Sequence, residues 1–78
     1  MKKIQVLGPG CSRCEKLAAN VKTAIGELGL DIDFEKVTDI MQITSYGVMT
    51  TPALVIDGKV IFAGKVPETD ELKNIIIG

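Results

Sequence analysis

A chain of 78 residues with nine Lys and Arg against ten Asp and Glu, a formal charge of −1, makes one small domain spanning residues 1–78 and leaves no room for a second core. An apolar content of 46%, mostly aliphatic, excludes disorder as the main state. The near-neutral balance without charge runs argues against nucleic acid, which needs a positive stripe, and the longest apolar runs, Ala53 to Ile56 and Val60 to Ala63, are far below the ~20 residues of a membrane helix.

Residues Lys3 to Leu7 alternate weakly and stop at Gly8-Pro9-Gly10, which predicts a first strand followed by a loop. From Ser12 the period changes. Cys14, Leu17, Ala18, Val21, Ile25 and Leu28 recur at helical spacing until Gly29, predicting a long amphipathic helix. Gly26 inside it costs about 1 kcal/mol relative to Ala and is accounted for only if another element packs close there. Asp31 to Val37 alternates again and predicts a second strand, and Asp39 offers an N-cap to a short helix with Ile40, Ile43 and Tyr46 on its apolar stripe and Gly47 at its end. Tyr46 reads as a core or edge residue. Ala53 to Ile56 and Val60 to Phe62 flank Asp57-Gly58, a strong hairpin signal. Gly64 and Pro67 break the sheet, and Thr69 to Ile77 closes the chain as a helix with Leu72, Ile75 and Ile76 inward and Glu68, Asp70 and Glu71 at its positive end. The order βαβαββα predicts an α/β fold with a mixed four-stranded sheet flanked by helices, since a strand, helix, strand unit pairs its strands in parallel.

The two cysteines, Cys11 and Cys14, are separated by Ser12 and Arg13, and the chain has no histidine. A disulfide between them closes so short a loop that chain entropy contributes only about 2 kcal/mol, which makes it a poor structural staple. A structural zinc site takes four Cys or His ligands, so two thiols exclude a closed intrachain one. Redox cycling and Cu(I) binding remain, against the plainer reading of two inert buried thiols, which a Gly-Pro-Gly loop disfavours. At the junction of loop and helix, Cys11 would meet the positive end of the helix dipole with Arg13 and Lys16 nearby and Glu15 opposing them, so its pKa is expected to fall, with Arg13 as the tuning residue. Cys14, one turn on and within the apolar stripe, should be the more buried. Cys11 would then attack a substrate disulfide and Cys14 resolve the mixed disulfide.

With Cys11-Ser12-Arg13-Cys14 opening a helix after a strand, and Thr51-Pro52 just before a hairpin, the sequence resembles the thioredoxin superfamily, and in particular its small, glutaredoxin-sized redox-active disulfide proteins of prokaryotes. The resemblance covers nearly the whole chain and implies a thioredoxin-like fold and protein thiol-disulfide oxidoreductase activity. It also implies that Pro52 is cis and faces the cysteine pair, and that the backbone of Thr51 binds an extended substrate segment. Three positions depart from the family pattern. Gly10 stands where a Trp usually precedes the first cysteine, Ser12-Arg13 replaces Gly-Pro, and the first strand has no acid. Gly64 to Glu68 stands where glutaredoxins carry a Gly-Gly-x-x-Asp stretch, so strong glutathione dependence is not expected.

The expected partners are protein disulfides and a reductase, with no nucleic acid, no membrane, no metal and no cofactor. A monomer is expected. The N-terminal apolar stretch, cut by Gln5 and Gly8, is shorter than the core of a signal peptide, which points to the cytoplasm. The alternative of another class is a Cu(I) carrier using the same two thiolates; such carriers usually run βαββαβ, with Met where this chain has Pro9. A docking domain that keeps only the fold is disfavoured by the presence of both cysteines.

Overall fold

The computed structural model describes residues 2–10 and 12–77. In chain order the elements are β1 (Lys2–Leu7), α1 (Ser12–Leu28), β2 (Ile32–Val37), α2 (Ile40–Ser45), β3 (Ala53–Ile56), β4 (Lys59–Ala63) and α3 (Thr69–Ile77). The sheet order is β2-β1-β3-β4, with β1 parallel to β2 and antiparallel to β3, and β3 antiparallel to β4. The architecture is the expected mixed sheet with helices on both faces. Among the described residues, no helix is long and apolar enough to cross a membrane.

Local chemistry explains the boundaries. Gly29 adopts φ +66° and its N–H donates to the Ile25 carbonyl at 3.1 Å, closing α1 where a residue without Cβ meets no strain. Asp39 caps α2, its side chain accepting from the Met41 N–H at 2.9 Å. Asp57 and Gly58 both have positive φ, 52° and 82°, the two-residue turn whose twist matches the strands it joins.

Alternation along β1 splits the interior in two. Ile4 and Val6 face α1 and α3, packing with Leu17, Val21, Leu54, Leu72 and Ile76 in an aliphatic cluster. Leu7 faces the other side with Val37, Ile43, Ala53 and Val55, beneath α2. Gln5 shares that second face and, among the described residues, is the buried polar side chain, 8% exposed. Its amide donates to Glu35 Oε1 at 2.7 Å, and its carbonyl oxygen accepts from the Tyr46 hydroxyl at 2.8 Å, which satisfies both ends of the group.

One detail corrects the sequence reading and two add to it. Ile40 is 65% exposed and outside the apolar stripe of α2, because a helix of six residues presents little more than one inward position, filled by Ile43. A register shift between Leu54 and Val55 pairs Val55 with Val60 but Leu54 with Phe62. Val60 therefore packs with the α2 side and Phe62 with the α1 side, although simple alternation would put both on one face. Gly26 is exposed with nothing within 4 Å of a Cβ built there, so no close packing explains it.

Candidate active site

The site forms where β1 ends. Leu7 pairs in parallel with Val37 and antiparallel with Ala53, and the Gly8 N–H extends the first pairing by donating to the Val37 carbonyl at 2.9 Å. Continuing the second register places Pro52 beside Gly8. The chain then turns through Pro9 and Gly10, the latter at φ +98°, before entering α1 at Ser12.

Cys14 lies on the inward face of the first turn of α1 and is buried, 2% exposed. A Cβ built on Gly8 would fall on Cys14 Sγ and 2.8 Å from Cys14 Cβ. Gly8 is therefore the wall against which the sulfur rests, and any larger residue would displace it. No pattern in the sequence distinguishes this contact from an ordinary loop glycine. Cys11, the expected attacking thiol, lies outside the described residues.

The second wall comes from the segment before β3. The Thr51–Pro52 peptide bond is cis, Pro52 is fully buried, and Thr51 is half-buried. Beyond the hairpin, Gly64 donates its N–H to the Pro52 carbonyl at 2.7 Å. Gly64 has φ +79°, and a Cβ there would come within 2.9 Å of Thr50 Oγ1. Around these residues Pro9, Gly10, Ser12, Arg13, Met49, Thr50 and Lys65 are exposed, forming an open rim.

Two charged groups of the first helical turn are engaged. Arg13 Nη2 donates to the Gly64 carbonyl at 3.0 Å, and Glu15 forms an ion pair with Lys36 at 2.6 Å. The acid that opposes Arg13 and Lys16 in the sequence reading is thus partnered by a cation from β2. On the opposite face of the sheet, β1 contributes the buried amide of Gln5 beside the apolar Leu7, and Tyr46 serves that amide as a hydrogen-bond donor. Among the described residues no group of three or more His, Cys, Asp or Glu side chains could hold a metal ion.

This arrangement sets the buried thiol of Cys14, on the first turn of α1, at the level of the Thr51–Pro52 segment that leads into β3. Residues 2–77 match the family profile described as the thioredoxin domain. The chain belongs to the thioredoxin domain family. It is 40% identical over 76 residues to a protein named thioredoxin from Methanothermobacter thermautotrophicus, covering 97% of this chain and 99% of that one. A second protein named thioredoxin, from Methanocaldococcus jannaschii, is 40% identical over 71 residues, covering 91% of this chain and 81% of the relative. Membership makes this chain an enzyme of the thiol-disulfide oxidoreductase class. The Cu(I)-carrier alternative finds no support among these relatives.

Proposed function

We propose that this thioredoxin-family chain exchanges a Cys11/Cys14 dithiol with the disulfides of protein substrates. In the reducing direction the Cys11 thiolate attacks one sulfur of the substrate disulfide. That S–S bond breaks, a Cys11–substrate disulfide forms, and the departing substrate sulfur takes a proton. The Cys14 thiolate then attacks the Cys11 sulfur, releasing the second substrate thiolate, which is protonated in turn. Two electrons and two protons have passed to the substrate, and the pair is left as a disulfide for an external reductase of the dithiol type to restore. The reverse sequence oxidises a substrate dithiol.

The observation that carries this reading is the buried position of Cys14 against Gly8, at the level where the register brings in Pro52. A sulfur held there suits the resolving role, since attack on a neighbouring mixed disulfide needs proximity more than solvent access. Thr51 would offer its backbone to an extended substrate segment, a mode that is tolerant of sequence. The open rim favours broad substrates, and the reading places the protein as a monomer in a reducing cytoplasm. Strong glutathione dependence is not part of it, given Gly64 to Glu68 after the hairpin.

The test is a Cys14→Ser variant incubated with oxidised protein substrates. Accumulation of mixed disulfides through Cys11, with loss of turnover, is the expected result. A variant that turns over normally, or one that forms no mixed disulfide while the unaltered protein does reduce the substrate, would overturn the assignment of roles. Trapping by Cys11→Ser in place of Cys14→Ser would reverse them.

A further inference from the structure

Residues 64–67 leave β4 and run beside α1, tied to it at two points. Arg13 Nη2 donates to the Gly64 carbonyl at 3.0 Å, and Asn20 Nδ2 donates to the Pro67 carbonyl at 3.0 Å. Arg13 and Asn20 are seven residues apart, about 10 Å and close to two full turns along one face of the helix. The segment therefore lies lengthwise against that face. Its upper end is also tied to the other wall of the site, since Gly64 donates its N–H to the Pro52 carbonyl at 2.7 Å. Both backbone hydrogen-bonding groups of Gly64 are thus committed, one to each wall, and its missing Cβ leaves room for Thr50.

From this we propose that Arg13 is a positioning residue, a strap that runs from the first turn of α1 through Gly64 to Pro52 and sets the spacing between the cysteine turn and the Thr51 strand edge. The inference rests on the functional reading above and deepens it by naming what holds the substrate-binding edge in place. Its logic is geometric. The Cys14 side of the site is fixed by burial, and the Pro52 side by the pairing of the next residue, Ala53, with Leu7 and Ala63. Between them the gap at the surface is spanned by the chain Arg13, Gly64, Pro52. Asn20 holds the far end of the same segment, so that a pull on Gly64 is not relaxed by the segment swinging away from the helix. A guanidinium suits this task because it reaches far on a long stem while its planar donors keep direction; an ammonium at the same position would carry the charge without that directionality.

The charge of Arg13 also points to an effect on Cys11, and substitutions separate the two. Arg13→Lys keeps the charge and loses the fork; Arg13→Gln loses both. Steady-state reduction of insulin, with dithiothreitol as the regenerating thiol, should show a KM raised roughly three- to tenfold in both variants with kcat changed less than about twofold. Asn20→Ala should move KM in the same direction by less. The pH profile of Cys11 alkylation by iodoacetamide should keep its midpoint in Arg13→Lys. A wild-type KM in Arg13→Lys together with a displaced alkylation midpoint in Arg13→Gln would overturn the strap in favour of charge alone, and an unchanged KM in both would overturn it outright. Amide hydrogen exchange at Gly64 reads the strap without any substrate. Faster exchange by roughly three- to tenfold in both Arg13 variants is expected, and unchanged exchange would sink the idea. Should the unaltered protein fail to reduce insulin, the functional reading fails, while the Gly64 exchange still decides the strap.

Discussion

The two faces of the sheet are built to different standards. Toward α1 and α3, helices of 17 and nine residues, the buried cluster is aliphatic throughout and runs the length of β1 through Ile4 and Val6. Toward α2, a helix of six residues, the apolar cluster gathers around Leu7, Val37 and Ala53 at the end where the site loops leave, and the neighbouring position on β1 is the hydrogen-bonded Gln5. The first face gathers nine of the buried apolar residues against five on the second, so burial there is expected to contribute more to stability. The second supports the loops, and it trades area for a polar network that fixes where α2 sits. A small domain has little surplus to spread, and here it is concentrated on the side away from Tyr46 and Gln5.

Truncation of the aliphatic face should have the largest effect. Leu17 is fully buried on α1, and Leu17→Ala should cost about 2–5 kcal/mol by denaturant unfolding. Val55→Ala on the α2 face should cost about 2 kcal/mol; a larger loss there than at Leu17 would invert the comparison. Next comes the joint between the faces. Gly8→Ala forces a methyl onto Cys14 and should destabilise by about 1–3 kcal/mol, with a shift in the reactivity of the thiol pair toward iodoacetamide. An alanine accepted without either effect would mean that the Cys14 turn can move freely.

A smaller effect is expected within the polar network. Tyr46→Phe removes the donor to Gln5 Oε1 and leaves a buried amide oxygen short of a partner, which should cost roughly 1 kcal/mol in equilibrium unfolding. A neutral result would mean that packing and the Asp39 cap hold α2 without this hydrogen bond. The smallest effect lies at the surface between α1 and α3. Glu27, 2.8 Å from Lys73 Nζ, raises the lysine's pKa above 10.5 by hydrogen bond and charge, with Asp70 adding to it. A raised folded-state value means the ion pair stabilises the fold below pH 10.5 and that this contribution fades as pH rises through the higher folded value. Glu27→Gln should flatten that alkaline decline in the unfolding midpoint, and added salt should shrink the difference. An unaltered decline would remove this pair from the stability of the helical face.

The extent of α1 and α3 was legible because apolar positions recur at helical spacing and glycine or proline marks the flanks. The Asp57-Gly58 turn was legible for a similar reason, since few residues accept positive φ at two successive positions. Both signals are local. Ile40 misled because periodicity cannot tell how long a helix must be before its first residue reaches the core. The opposite faces of Val60 and Phe62 were not legible, because a register shift interrupts the alternation, and such a shift depends on the partner strand.

At the site, Cys11 and Cys14 were named from residue type and spacing and Thr51 and Pro52 from the family resemblance, and the burial of Cys14 followed from its place on the apolar stripe. Gly8 against Cys14, and the path from Arg13 through Gly64 to Pro52, were not. Arg13 and Gly64 stand 51 positions apart, and they meet only because strand register and the packing of α1 on the sheet carry both to the same edge. Periodicity, caps and turn chemistry act over a few residues and are written into the chain one segment at a time. Which walls of the site touch is decided when the segments dock, because a contact across the sheet depends on register and on the space that neighbouring side chains leave.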